Sequence, residues 1–107
     1  MAIKIYIDQG HNPESPNAGS EGNGLKEQDI TYRVGIALAE LLRANGNFEV
    51  RLSRPTPTTS LGTTNTTSLQ ARVSDANRWG ADSFISIHTN ASELAAATGT
   101  EAFAYSR

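Results

Sequence analysis

Ile3-Lys4-Ile5-Tyr6-Ile7 is the stretch of this sequence that decides its fold class. The segment alternates and is rich in β-branched side chains, which predicts a β-strand. Asp8-Gln9-Gly10-His11 follows directly, and its glycine predicts a turn with a histidine just beyond it. The chain therefore begins with a strand that ends next to a chemically versatile side chain.

Two helices are predicted from the spacing of apolar residues at three and four positions. The first begins near Glu27 and ends at Asn45-Gly46, which is a typical helix stop. The second extends from about Ser68 to Trp79, before Gly80. The residues expected to face the protein core are Ile30, Val34, Leu38, Leu41 and Leu42 in the first helix and Leu69, Val73, Ala76 and Trp79 in the second.

Three further strands are predicted, at residues 48–52, 83–87 and 100–105. Residues 12–26 and 55–67 show no periodicity and are predicted as loops, and residues 93–97 as a short helical turn. Strands that alternate with helices in this order favour an α/β fold. We expect a mostly parallel, twisted sheet with helices packed on its faces.

The composition excludes several classes of function. The chain has 107 residues, the length of one domain, and its nine Lys+Arg and 11 Asp+Glu give a net charge of −2. Without a basic run, nucleic acid is not an expected partner. No apolar stretch is long enough to cross a membrane, and no secretory signal peptide is visible. The absence of cysteine excludes disulfides and thiolate metal ligands.

The two histidines of the chain, His11 and His88, each follow a predicted strand. In open α/β sheets ligands bind at the carboxyl ends of strands, so the two side chains can share one site. Two histidines, one carboxylate and an open position form a catalytic zinc site. Glu14 and Glu27 both compete for the carboxylate position, and spacing does not choose between them. The alternative is two unrelated loop histidines and a Glu27 that only interacts with the helix dipole.

Five segments of the sequence look like successive parts of one known family. The segments are Ile7-Asp8-Gln9-Gly10-His11, Leu25-Lys26-Glu27-Gln28-Asp29, Leu52-Ser53-Arg54, Leu69-Gln70-Ala71-Arg72 and residues 76–91. They resemble the zinc-dependent N-acetylmuramoyl-L-alanine amidases of the amidase-3 type, and they occur in that family's order. The last segment is the most specific, and together the segments extend over nearly all of the chain.

The resemblance implies a ligand set, a substrate and a reaction. His11, Glu27 and His88 would bind Zn²⁺, which selects Glu27 over Glu14. The substrate would be peptidoglycan at the bacterial cell wall, outside the cytoplasm. The reaction would be hydrolysis of the amide that joins N-acetylmuramic acid to L-alanine of the stem peptide.

Two more residues are candidates because of their positions near the histidines. Asp8 is close enough in sequence to fix the tautomer of His11 through a hydrogen bond, or it caps the turn. Asn90 follows His88 closely, so it is a candidate substrate-binding residue, or it closes a loop.

The resemblance also implies a general base that we do not find in this sequence. Family members use a second glutamate in a strand near the C-terminus of the domain, whereas this chain ends at Arg107 and Glu101 aligns elsewhere. We therefore expect residues 1–107 to form a single amidase-like zinc domain that is incomplete at its C-terminal end, with no catalytic base assigned. Two alternatives remain: a zinc-containing peptidoglycan-binding module with little or no turnover, and a carboxypeptidase-like zinc peptidase that uses Glu14.

Overall fold

The computed structural model describes residues 2–89 and 100–106. The helices are α1 (Glu27–Asn45) and α2 (Asn65–Trp79). The strands are β1 (Ile3–Gln9), β2 (Glu21–Gly22), β3 (Leu25–Lys26), β4 (Phe48–Leu52), β5 (Ser83–Thr89) and β6 (Thr100–Ser106). The helical turn predicted at residues 93–97 and the candidate Asn90 lie outside the described residues.

The main sheet has the strand order β4-β1-β5-β6. β1 pairs in parallel with both β4 and β5, and β6 runs antiparallel to β5. This sheet confirms the predicted α/β fold with a mostly parallel sheet. Because β1 is flanked by two parallel strands, the segment that follows it lies at the carboxyl ends of three neighbouring strands.

A small hairpin, β2–β3, lies within a segment that the sequence predicts to be a loop. β2 and β3 pair antiparallel, Glu21 with Lys26 and Gly22 with Leu25. The hairpin ends where α1 begins, and the Glu27 N–H donates to the Ser20 carbonyl at 2.8 Å. The hairpin therefore folds the start of α1 back toward the sheet.

α1 covers one face of the sheet, over an apolar core formed by Ile5, Ile7, Leu52, Ile87 and Ala39. Leu38 and Leu42 pack against this core, as the sequence predicts. The prediction is wrong for Val34 and Leu41, which are 41% and 72% exposed.

The buried side of α1 is lined by small residues, which explains that difference. Thr31, Gly35 and Ala39, spaced four positions apart, are buried along the helix. A Cβ on Gly35 would overlap the side chain of Gln9, so the helix approaches β1 closely only because this residue is glycine. The close approach rotates the apolar stripe away from the direction that spacing alone predicts.

α2 packs on the opposite face, where Tyr6 and Ala81 form a second core cluster with Ala76. The prediction that Leu69 and Val73 face inward is wrong, since they are 52% and 51% exposed. The buried residues of α2 are Ser68, Arg72 and Ala76, four positions apart. The side of α2 that faces the sheet is therefore the side that carries Arg72, and not the side that carries Leu69 and Val73.

α2 also begins three residues earlier than the predicted Ser68. The Thr64 side chain accepts a hydrogen bond from the Thr67 N–H at 3.1 Å, and the Thr67 hydroxyl accepts one from the Thr64 N–H at 2.8 Å. This reciprocal cap satisfies N–H groups that the first turn leaves unpaired. Neither helix in the described part of the chain is long and apolar enough to cross a membrane.

Candidate metal centre

The ends of β1 and β5 bring the two histidines of the chain together. The His11 and His88 rings are 5.2 Å apart between centroids and nearly perpendicular, at 89°. Gly10 makes this approach possible, because a Cβ at that position would lie 2.6 Å from ring atoms of His88 and 2.6 Å from the Ile87 carbonyl oxygen. No other residue type fits there without moving His88.

Glu27, the first residue of α1, supplies a carboxylate to the same place. Its Oε2 lies 3.0 Å from His11 Nε2 and 3.7 Å from His88 Nδ1. The Thr89 N–H donates to Oε2 at 3.0 Å, and the Ser20 N–H lies 3.4 Å from Oε1. One ligand atom from each of the three side chains falls within 4.8 Å of the others. The structure therefore brings together all three predicted ligands, which we call the His-Glu-His group.

The two distances from the Glu27 donor atom to the histidine nitrogens suit a tetrahedral zinc ion. Zinc–ligand bonds of about 2.0–2.1 Å place two donors about 3.3 Å apart in tetrahedral geometry. The two distances from Glu27 Oε2, 3.0 and 3.7 Å, lie on either side of that value. Two imidazole nitrogens and one carboxylate oxygen are also a known ligand set of catalytic zinc.

The surroundings of His11 suit the tautomer that a metal ligand needs. Its Nδ1 is 3.1 Å from the Asn17 amide oxygen, an atom that only accepts hydrogen bonds. Asn17 is oriented in turn by its own amide nitrogen, which donates to Ser68 Oγ at 3.1 Å. A proton on Nδ1 would pair with that oxygen and leave the Nε2 lone pair available to a metal ion shared with Glu27.

His88 is held in the complementary tautomer by a chain of hydrogen bonds. Its Nε2 lies 3.1 Å from Ser86 Oγ, and that hydroxyl donates to Asp8 Oδ2 at 2.8 Å. Ser86 therefore accepts the Nε2 proton, and Nδ1 keeps its lone pair. The expectation that Asp8 orients His11 is wrong: Asp8 and Ser86 are paired across β1 and β5, and Asp8 acts on His88 through that hydroxyl.

The other acidic candidates from the sequence are Glu14 and Glu101. Glu14 is exposed, and the His-Glu-His group among the described residues does not include it. Glu101 pairs with His88 in the backbone register of β5 and β6. Sequence reasoning missed Asn17 and Ser86; Ser86 could have been found from its alternation with apolar residues in β5, whereas Asn17 lies in an aperiodic loop.

Comparison with known proteins identifies the family. Residues 5–107 match the family model described as N-acetylmuramoyl-L-alanine amidase, amidase-3. The chain belongs to this family. Its resemblance to the amidases, inferred from the five sequence segments, is thereby confirmed.

Individual amidases match over almost the whole chain. N-acetylmuramoyl-L-alanine amidase CwlM of Bacillus licheniformis is 39% identical over 96% of this chain and 36% of its own length. The sporulation-specific amidase of Bacillus subtilis strain 168 is 36% identical over the same shares. The structure of amidase AmiC2 of Nostoc punctiforme superposes with a TM-score of 0.68 at 29% identity, over 85% of this chain and 46% of that one. The chain thus spans about a third of the length of these curated relatives (36%).

Proposed function

We propose that this chain carries the zinc site of a peptidoglycan amidase. The bond cleaved is the amide between N-acetylmuramic acid and L-alanine of the stem peptide, and the place of action is the bacterial cell wall. The observation that carries the proposal is the convergence of His11, Glu27 and His88 with donor spacings that suit zinc. The names of the amidases that this chain resembles support the choice of substrate.

The exposure of the three side chains shows from which side a substrate can reach the site. The side chain of Glu27 is only 6% exposed, whereas those of His11 and His88 are 21% and 31% exposed. A substrate therefore approaches from the histidine side, while the carboxylate is held from behind by Ser20 and Thr89. Zinc bound there supplies Lewis acidity, polarising an amide carbonyl and strengthening water as a nucleophile.

Proton transfer during hydrolysis requires a group other than Glu27 and Asp8. Glu27 Oε2 faces both histidines as the third candidate ligand atom and accepts from the Thr89 N–H, and Asp8 is held in a buried ion pair with Arg72 at 2.8 Å. Neither carboxylate is free to accept a proton from a nucleophile. We infer that the general base lies outside these contacts, so hydrolysis and zinc binding are separable properties.

Zinc binding is tested by exchanging the two competing glutamates one at a time. Glu27→Gln should lower zinc affinity by more than the roughly 10–100-fold that follows replacement of a partner of a ligand. Glu14→Gln, the matched control, should leave the affinity within about twofold of the unchanged protein, since an exposed side chain outside the group contributes little. Zinc content after equilibrium dialysis measures both. An empty site in Glu14→Gln with a full site in Glu27→Gln would instead support the carboxypeptidase-like arrangement.

Hydrolysis is tested on purified cell wall. The expected product is new L-alanine amino termini, formed with zinc and not with a chelator. Binding of zinc and of cell wall without any such termini would reject turnover by this chain and support the alternative of a peptidoglycan-binding module.

A further inference from the structure

Two arginines, Arg54 and Arg72, are among the most deeply buried residues of the protein, each 1% exposed. Arg54 follows β4, and Arg72 lies in the middle of α2. A guanidinium is always charged, so its removal from water is unfavourable unless other groups replace the lost hydration. Their contacts show what these two side chains gain in return.

Arg54 connects the segment of His11 to the segment of Glu27. Its Nη1 donates to the Gly10 carbonyl at 3.3 Å and to the Gln28 carbonyl at 2.9 Å. Gly10 directly precedes His11, and Gln28 directly follows Glu27. These acceptors are carbonyl oxygens and not carboxylates, and burial together with the nearby charge of Arg72 lowers the pKa of Arg54. Arg54 is therefore held in an unfavourable environment by contacts with two ligand-bearing segments.

Arg72 connects the segment of His11 to His88. Its Nη2 donates to the His11 carbonyl at 2.9 Å, and its Nη1 pairs with Asp8 Oδ1 at 2.8 Å. Asp8 accepts the Ser86 hydroxyl, which contacts His88 Nε2. One guanidinium thus reaches both histidines, one through the backbone and one through two side chains.

The backbone at His11 needs such support. Its φ is 70°, in the left-handed region that a residue with a side chain seldom adopts unless its surroundings impose it. The carbonyls of Gln9 and His11 accept from Arg72, and that of Gly10 accepts from Arg54. Three consecutive carbonyls are therefore oriented by two planar, charged donors.

We propose that Arg54 and Arg72 are positioning residues of the metal centre. Arg54 fixes the position of His11 relative to Glu27, and Arg72 fixes the position of His11 relative to His88. The proposal rests on the zinc site proposed above. Lysine retains the positive charge, but its single ammonium group cannot reproduce the planar fork of donors. Arginine at these positions is thus required for ligand geometry in addition to charge.

The test compares Arg54→Lys and Arg72→Lys with two matched controls, Arg51→Lys and Arg78→Lys. Arg51 lies three residues before Arg54 and pairs with Asp75, and Arg78 lies six residues after Arg72 in the same helix and is 79% exposed. Zinc dissociation constants are measured by chelator competition, under conditions where circular dichroism shows each protein to be folded. The visible spectrum of the Co²⁺-substituted protein reports ligand geometry separately from stability.

The expected result is a roughly 10–100-fold weaker zinc affinity and an altered Co²⁺ spectrum in Arg54→Lys and Arg72→Lys, as for partners of metal ligands elsewhere. Both controls should stay within about twofold of the unchanged protein, as expected for surface substitutions. Equal affinity in all variants, equal weakening in the controls, or failure to fold even at saturating zinc would overturn the proposal. An unchanged protein that binds no zinc would instead refute the proposed function itself.

Discussion

Two ion pairs of similar length, both joining α2 to the sheet, differ in how deeply they are buried and in what they contact. Arg72 and Asp8 meet at 2.8 Å beside the His-Glu-His group, with side chains 1% and 6% exposed. Arg51 and Asp75 meet at 2.9 Å on the face covered by α2, with side chains 49% and 19% exposed. The first pair continues into Ser86 and His88, whereas the second continues to the Tyr6 hydroxyl, which donates to Asp75 at 2.9 Å, and to the exposed Arg78 at 4.0 Å.

The comparison shows that the length of an ion pair does not by itself indicate how much the structure depends on it. A buried pair requires both partners, because removal of one leaves an uncompensated charge in a medium of low dielectric constant. A pair near the surface is screened by water and contributes little. The buried pair is therefore the one on which the ligand geometry depends.

Removing each acid in turn tests this comparison with the largest expected effect. Asp8→Ala should lower the free energy of unfolding by about 3–5 kcal/mol, because it leaves Arg72 buried without its anion. Asp75→Ala should lower the free energy of unfolding by about 1 kcal/mol, because it removes only an ion pair near the surface and the hydrogen bond from Tyr6. Urea denaturation of the zinc-free protein measures both.

Zinc affinity provides the second half of the same experiment. Asp8→Ala should weaken zinc binding, since Ser86 loses the acceptor that orients it, whereas Asp75→Ala should not. If the two variants lose equal stability or equal zinc affinity, the distinction between the pairs is wrong.

An intermediate effect is expected from a substitution that crowds the His-Glu-His group without changing its charge. Gly10→Ala places a Cβ 2.6 Å from the His88 ring and from the Ile87 carbonyl oxygen. Such overpacking should cost about 1–3 kcal/mol and displace His88 from the group, with loss of zinc binding. Gly22→Ala is the matched control, because its added Cβ meets nothing within 4 Å. Isothermal titration with zinc and thermal unfolding measure the two effects; normal zinc binding by Gly10→Ala would show that His88 tolerates the displacement.

The smallest effect is the pH dependence of the exposed pair. Arg51, through its hydrogen bonds, and Tyr6 hold the pKa of Asp75 below its usual range, although burial opposes them. The native state therefore binds this proton less readily than the unfolded state, whose pKa is about 3.9. The stabilisation is present above about pH 4 and is lost as the pH falls toward the lower native value.

Asp75→Asn removes this titration and gives the measurement. The free energy of unfolding of each zinc-free protein is measured at pH 5 and at pH 3. The difference between the unchanged protein and the variant should be smaller at pH 3 than at pH 5. A constant difference between the two proteins at both pH values would contradict the assigned pKa shift.

The sequence predicted which side chains come together at the His-Glu-His group more successfully than it oriented the helices. His11 and His88 were found because each follows a strand, and parallel strands end at one edge of a sheet. Glu27 could be separated from Glu14 only by family resemblance, because the choice depends on the β2–β3 hairpin folding α1 back. Val34 and Leu69 were wrongly assigned to the core because spacing describes a stripe but does not say which side of the helix meets the sheet.

What the sequence by itself determined is the order of the longer strands and helices, the family, and which side chains are candidate zinc ligands. These follow from local periodicity, turn residues and chemical type, all of which act over a few neighbouring positions. Only the tertiary structure decided the hydrogen-bond partners of the histidines, the left-handed backbone of His11 and the burial of Arg54 and Arg72. Most of these features depend on contacts between residues far apart in the sequence, such as Arg54 with Gly10, 44 positions away, and Ser86 with Asp8, 78 positions away, and no local pattern records them.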